Sequence, residues 1–155
     1  MSRPSLDKVM LGCAHLLALR GTCRKRQVGC VLIDINGHIL STGYNGTAAG
    51  LSHCIDVPCG GVGKPNGSDS CQGIHAELNA LLRCADVSKI YTTYVTVLPC
   101  NNCMKTLLNT GCKRIVYAEG HENEQNVLSE WTKTGRSVLH LDGKGPGDAF
   151  KCGQN

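Results

Sequence analysis

The run Tyr91-Thr92-Thr93-Tyr94-Val95-Thr96-Val97-Leu98-Pro99-Cys100-Asn101-Asn102-Cys103 decides how this chain is built. Its first eight residues alternate and are rich in β-branched and aromatic side chains, which predicts a strand over Tyr91 to Leu98. Pro99 is a frequent helix-entry residue, so the strand feeds at once into a helix whose first turn holds Cys100 and Cys103. Met104, Leu107 and Leu108 continue that helix, and Asn109-Thr110-Gly111 stops it. Thiols three residues apart lie on one side of a first turn. A helix N-terminus also lowers a thiol's pKa, so both cysteines are set up to bind as thiolates.

A second stretch supplies what two thiols lack. Ile74 to Cys84 reads as a helix beginning near Gly73, with His75, Ala76 and Glu77 in its first turn. Residues two apart in mid-helix point about 200° away from each other, so His75 and Glu77 converge only at a helix end. One imidazole and two thiols can hold a zinc ion and leave its fourth tetrahedral position open, which distinguishes a catalytic site from a structural one. Glu77 is then the natural proton carrier. Taken alone, Cys-x-x-Cys could equally be half of a zinc knuckle or a redox pair. The combination of His-x-Glu with Pro-Cys-x-x-Cys favours the catalytic reading and resembles the signature of zinc-dependent nucleobase deaminases.

The 155 residues suit a single domain, 1–155, long enough to bury a core without disulfides. A hydrophobic fraction of 41% with one Phe and one Trp makes that core aliphatic. The odd count of 11 cysteines, and a start at Met1-Ser2-Arg3-Pro4 that does not read as a signal peptide, point to a reducing cytoplasm with free or metal-bound thiols. No apolar run is long enough to span a bilayer. A net charge of +4 fits a small anionic substrate at least as well as nucleic acid, which would call for a denser basic stripe.

From the N-terminus, Ser5 to about Leu19 has helical spacing, with Ser5 as N-cap and Asp7 in the first turn. His15 reads as a surface or packing residue of that helix. Val28 to Asp34 and His38 to Tyr44 are two strands joined by Asp34-Ile35-Asn36-Gly37, whose Asn-Gly pair signals a hairpin. Arg114 to Ala118 is a short buried strand, Glu124 to about Lys133 a helix with Val127, Leu128 and Trp131 on its apolar face, and Ser137 to Leu141 a last strand. Residues 142–155 form a Gly-rich, loose tail. Alternation of strand and helix from the third strand onward implies right-handed parallel crossovers, hence a three-layer α/β/α fold with a mixed five-stranded sheet.

The long segment Gly43 to Gly73 is rich in Gly, Ser, Asn and Pro, and loops of that length are usually functional. It carries His53, Cys54, Cys59 and Cys71 and almost no apolar residues of its own, which suggests a second, closed zinc site standing in for a core. Free loop thiols are the alternative, and Cys23 or Cys30 could replace one ligand.

This element order, with His75-Ala76-Glu77 and Pro99-Cys100-Asn101-Asn102-Cys103 opening two helices, resembles the cytidine deaminase-like fold. Arg26-Gln27-Val28-Gly29, Gly43-Tyr44-Asn45-Gly46 with Gly50 beyond, and His75 to Ala80 narrow the resemblance to deoxycytidylate (dCMP) deaminases of the bacterial and phage type, over roughly residues 5 to 141. The resemblance implies zinc on His75, Cys100 and Cys103, with Glu77 moving protons while water displaces the amine at C4 of dCMP to give dUMP. It implies Asn45 at the deoxyribose hydroxyl and backbone near Ala76 and Leu98 at the base edge. His121 stands where relatives often carry a phosphate-binding Tyr. It further implies homo-hexamers activated by dCTP and inhibited by dTTP, with magnesium on the triphosphate and Arg24, Lys25, Arg26, Asn45, Gly46 and Gly50 as matching positions. Two other classes share parts of the pattern: a tRNA or single-stranded nucleic acid deaminase, for which 4% aromatics offers little base stacking, and a non-enzymatic zinc module, which has no use for Glu77.

Overall fold

Ser5 starts the first helix as expected: its side chain accepts from Lys8 N at 3.3 Å and caps α1 (Leu6–Ala18), a contribution of about 1 kcal/mol. The structure is a computed structural model describing residues 3–65 and 68–143. Asp7, in the first turn, anchors the helix to the sheet. Arg114 donates to both of its carboxylate oxygens at 2.7 Å, and the Tyr94 hydroxyl donates to one of them at 2.7 Å.

Strands β1 (Gly29–Ile33) and β2 (Ile39–Tyr44) form the expected antiparallel hairpin. Only Gly37 in its turn has positive φ, at 86°, which excludes the two-residue form that would need Asn36 left-handed as well. The loop that follows is closed at its two ends by a feature too short to show in the sequence: β3 (Gly46–Thr47) pairs antiparallel with β4 (Gly73–Ile74). Helix α2 (Ala76–Leu82) therefore starts later than expected, with Gly73 and Ile74 in a strand and His75 at the N-cap. β5 (Thr92–Val97), α3 (Asn101–Leu108), β6 (Arg114–Glu119), α4 (Glu124–Lys133) and β7 (Ser137–His140) complete the chain close to their expected bounds. All but residues 142 and 143 of the expected tail lie outside the described residues.

The main sheet runs β2-β1-β5-β6-β7. β1 is antiparallel to β2 and β5, whereas β5, β6 and β7 are parallel, so the sheet is mixed as the element order required. Strand alternation divides the core. Cys30, Leu32, Val95, Ile115 and Tyr117 point to one face and pack with residues of α2, α3 and α4, including Ala80, Leu107 and Trp131. Val31, Ile33, Tyr94, Val116 and Ala118 point to the other and pack on Leu11 and Ala14 of α1. With helices on both faces, the carboxyl end of β5 and the start of α3 become a rim where side chains can converge.

No helix among the described residues is long and apolar enough to cross a membrane.

Candidate active site

Two helix N-caps meet at that rim. His75 caps α2 and Cys100 caps α3, and neither side chain makes the usual cap hydrogen bond. The two side chains turn toward each other instead. His75 Nδ1 lies 3.6 Å from Cys100 Sγ and 3.4 Å from Cys103 Sγ. Among the described residues, this is the group of three or more His, Cys or acidic side chains whose ligand atoms all lie within 4.8 Å of one another.

These distances fit zinc. Bonds of about 2.3 Å to sulfur and about 2.0 Å to nitrogen at a tetrahedral angle place S and N about 3.5 Å apart. The protonation pattern also suits a cation. Cys100 is held far below the ordinary thiol range, chiefly by the Cys103 thiol and then by His75, so it is a thiolate at neutral pH. Cys103, the proton donor of that pair, is pushed up, and His75 is raised by Cys100. A cation seated here would release the Cys103 proton and bind two thiolates.

Glu77 sits in the first turn of α2 and is only 3% exposed. Burial pushes its carboxyl up to about 7, against the pull of its own backbone N–H and the neighbouring His75. A carboxyl poised near neutrality in a buried position can both take and give a proton.

The other expected residues fall into separate places. Asn45 is committed to the backbone: Oδ1 accepts from Val28 N at 2.8 Å and Nδ2 donates to Arg26 O at 2.7 Å. One amide hydrogen and one lone pair remain for any ligand. Ala76 is fully buried, and the Leu98 N–H donates to Glu119 O at 2.8 Å. His121 is not a free imidazole. Its Nδ1 accepts from Asn123 N at 3.1 Å and its Nε2 lies 3.2 Å from Pro99 O, so gripping a phosphate would cost one of these bonds.

Cys23, Arg24, Lys25, Arg26, Gln27 and Ile55 line a recess of about 460 Å³. Arg24 donates to Ile55 O, Lys25 to Lys64 O, and Arg26 pairs with Glu119 at 2.8 Å. Gly46 and Gly50 are not in its lining. The second set of soft ligands is partly gathered. Cys54 Sγ lies 3.7 Å from Cys59 Sγ, and the Cys59 thiol is brought down to about 7, chiefly by backbone N–H groups of Gln72 and Gly61. No three of His53, Cys54, Cys59 and Cys71 have their ligand atoms all within 4.8 Å of one another, and His53 is exposed.

Residues 4–119 match the family model described as the cytidine and deoxycytidylate deaminase zinc-binding region. ComE operon protein 2 of Bacillus subtilis is 33% identical over 149 residues, covering 92% of this chain and 74% of that protein. The deoxycytidylate deaminase of Mycobacterium phage D29 is 38% identical over 125 residues, covering 76% of this chain and 97% of that one. Among solved structures, the dCMP deaminase of cyanophage S-TIM5 in complex with dCMP and dUMP superposes with a TM-score of 0.74 at 24% identity, over 91% of this chain and all of that one, and so shares the fold. With the matched region spanning both ligand-bearing helix starts, the chain belongs to the cytidine and deoxycytidylate deaminase family.

Proposed function

We propose that the chain is a deoxycytidylate deaminase, converting dCMP and water to dUMP and ammonia. The observation that carries the chemistry is the convergence of His75 Nδ1 with the Cys100 and Cys103 sulfurs at zinc-binding separations, with buried Glu77 two residues from His75. The substrate reading rests on family membership and on relatives such as the phage D29 enzyme, whose names specify deoxycytidylate.

His75, Cys100 and Cys103 would hold a zinc ion, which when bound would supply the Lewis acid that makes water nucleophilic at neutral pH. Glu77 takes a proton from the attacking water and delivers protons to N3 and to the departing amine at C4. Its burial keeps bulk water from competing for those protons. The Leu98 carbonyl and backbone beside Ala76 orient the base edge, and the remaining amide hydrogen or lone pair of Asn45 meets the deoxyribose hydroxyl. A rate comparison on dCMP, CMP, deoxycytidine and short oligonucleotides tests this. We expect dCMP to be preferred, and preference for an oligonucleotide or the free nucleoside would overturn the substrate assignment.

The same reading includes control by nucleoside triphosphates, dCTP activating and dTTP inhibiting with magnesium, in a cytoplasmic homo-hexamer. Arg24, Lys25 and Arg26 in the 460 Å³ recess support a triphosphate site, with Gly46 and Gly50 in the loop beyond Asn45. Asn45 gives a route for coupling, since its amide is bonded to the backbone of Arg26 and Val28. The Cys54, Cys59 and Cys71 thiols are the proposed ligands of a structural zinc.

A further inference from the structure

The tautomer of the neutral His121 ring follows from its hydrogen-bond partners. A backbone N–H can only donate, so Nδ1, which receives the Asn123 N–H at 3.1 Å, carries a lone pair. The neutral ring therefore bears its hydrogen on Nε2, which donates to the Pro99 carbonyl 3.2 Å away. That carbonyl lies one residue outside the helical ladder of α3, whose first acceptor is Cys100 O, bonded by Met104 N at 2.8 Å. The Pro99–Cys100 peptide plane sets where the Cys100 side chain leaves the backbone, and His121 holds that plane.

His121 is one of three ties between the β6–α4 segment and the residues around Cys100. Leu98 N donates to Glu119 O at 2.8 Å, and Asn126 Nδ2 donates to Asn101 Oδ1 at 3.2 Å. The segment is stiffened from within by the Tyr117 hydroxyl, which donates to Glu124 Oε1 at 2.6 Å. Residues 98, 99 and 101 are thus each gripped by residues 119 to 126, while Cys100 keeps its sulfur free for His75 and a metal.

We propose that His121 is a positioning residue for the metal ligand Cys100, acting through the Pro99 carbonyl, and that Asn126 reinforces it through Asn101. The inference rests on the reading of His75, Cys100 and Cys103 as the zinc site. Outer partners of metal ligands typically contribute 10–100-fold to metal affinity, and a partner acting through one peptide belongs at the low end.

The test is the rate of zinc release to a chromophoric chelator from wild type and from His121→Gln, His121→Asn, His121→Phe and Asn126→Ala, each checked for a native circular dichroism spectrum. Gln retains a donor that reaches Pro99 O. Asn retains only an acceptor near the Asn123 N–H, and Phe retains only the ring. Release from the Asn and Phe variants is expected to be roughly tenfold faster than from wild type. Gln is expected to stay close to wild type, and Asn126→Ala to move in the same direction as Phe by a smaller factor. Wild-type release from Phe, or an Asn variant that rescues where Gln does not, would overturn the proposal by assigning His121 only to its own loop. If Phe and Asn fail to fold, Asn126→Ala, an exposed surface change, still decides, and wild-type release from it would also count against the clamp. A wild-type protein purified without zinc would instead refute the metal site, and the clamp with it, before any variant is compared.

Discussion

Replacing Gly43 by Ala tests whether the placement of the catalytic helix depends on one hydrogen atom. Gly43 lies in β2 opposite Cys30, with an ordinary negative φ, so its value is close approach and not backbone freedom. A Cβ at this position would stand 2.5 Å from Ala80 N and closer still to Ala76 O, both backbone atoms of α2 that cannot rotate away. Ordinary contact begins near 3.4 Å, so strand and helix would have to part by roughly 1 Å. The overpacking should cost about 1–3 kcal/mol of stability. The larger effect is expected on function. α2 carries Glu77 in its first turn and follows directly from His75, while Cys100 and Cys103 ride on α3, which would not move with it. A displacement of about 1 Å at reacting groups can cost on the order of a hundredfold in rate. The assay is dCMP turnover at saturating substrate, with zinc content and thermal unfolding measured on the same preparation. A Gly43→Ala protein with wild-type turnover would refute the argument that this contact sets the distance between the two helix ends.

Asp7→Asn should lower stability by about 1.5–3 kcal/mol at neutral pH, because a carboxylate held by Arg114 and Tyr94 is lost. Arg114 holds the Asp7 carboxyl below its usual range, so its stabilisation is complete above the unfolded value near 4 and disappears as pH falls through the folded value. Urea midpoints of wild type and variant should therefore converge in acid, and a gap that widens as pH drops would contradict this sign. Metal analysis of protein purified without chelator should return more than one zinc per chain, falling by one in a Cys59→Ser/Cys71→Ser double variant; a wild-type stoichiometry near one would remove the second site. Arg26→Glu should weaken the response to dCTP and dTTP, expected at roughly five- to a hundredfold in dCMP affinity, far more than basal turnover. Indifference of the wild type to both triphosphates at sub-saturating dCMP would end the regulatory proposal.

The elements that could be read from sequence are those whose signals are local. Period-two alternation over Tyr91 to Leu98 and apolar spacing at Val127, Leu128 and Trp131 report the burial of one face, and burial is what made β5 and α4 form. The metal cluster was equally legible, because helix entry constrains both His75 and Cys100 within a few residues of chain. Longer-range closures left no such trace. β3 and β4 are two residues each and show no alternation, so their pairing, which delays the start of α2 to Ala76, is visible only once the loop ends are brought together. The same holds for the bonds of Asn45. The resemblance pointed to this residue as a sugar contact, and nothing local in the sequence shows that its amide also bonds across the turn to Arg26 and Val28. The tie of His121 to the Pro99 carbonyl, 22 residues away along the chain, is likewise invisible from sequence position. The loop cysteines were recognised as a group, but composition does not specify geometry: Cys54 and Cys59 approach each other while His53 is exposed.

Under the proposed mechanism, Glu77 carries protons beside a zinc ion that it does not hold. Zinc content and dUMP formation measured together on Glu77→Gln test it most directly. The amide preserves shape and removes the proton carrier, so the variant should keep the zinc stoichiometry of the wild type while turnover falls by roughly 10²–10⁴-fold. Loss of the zinc, or turnover close to that of the wild type, would contradict the account.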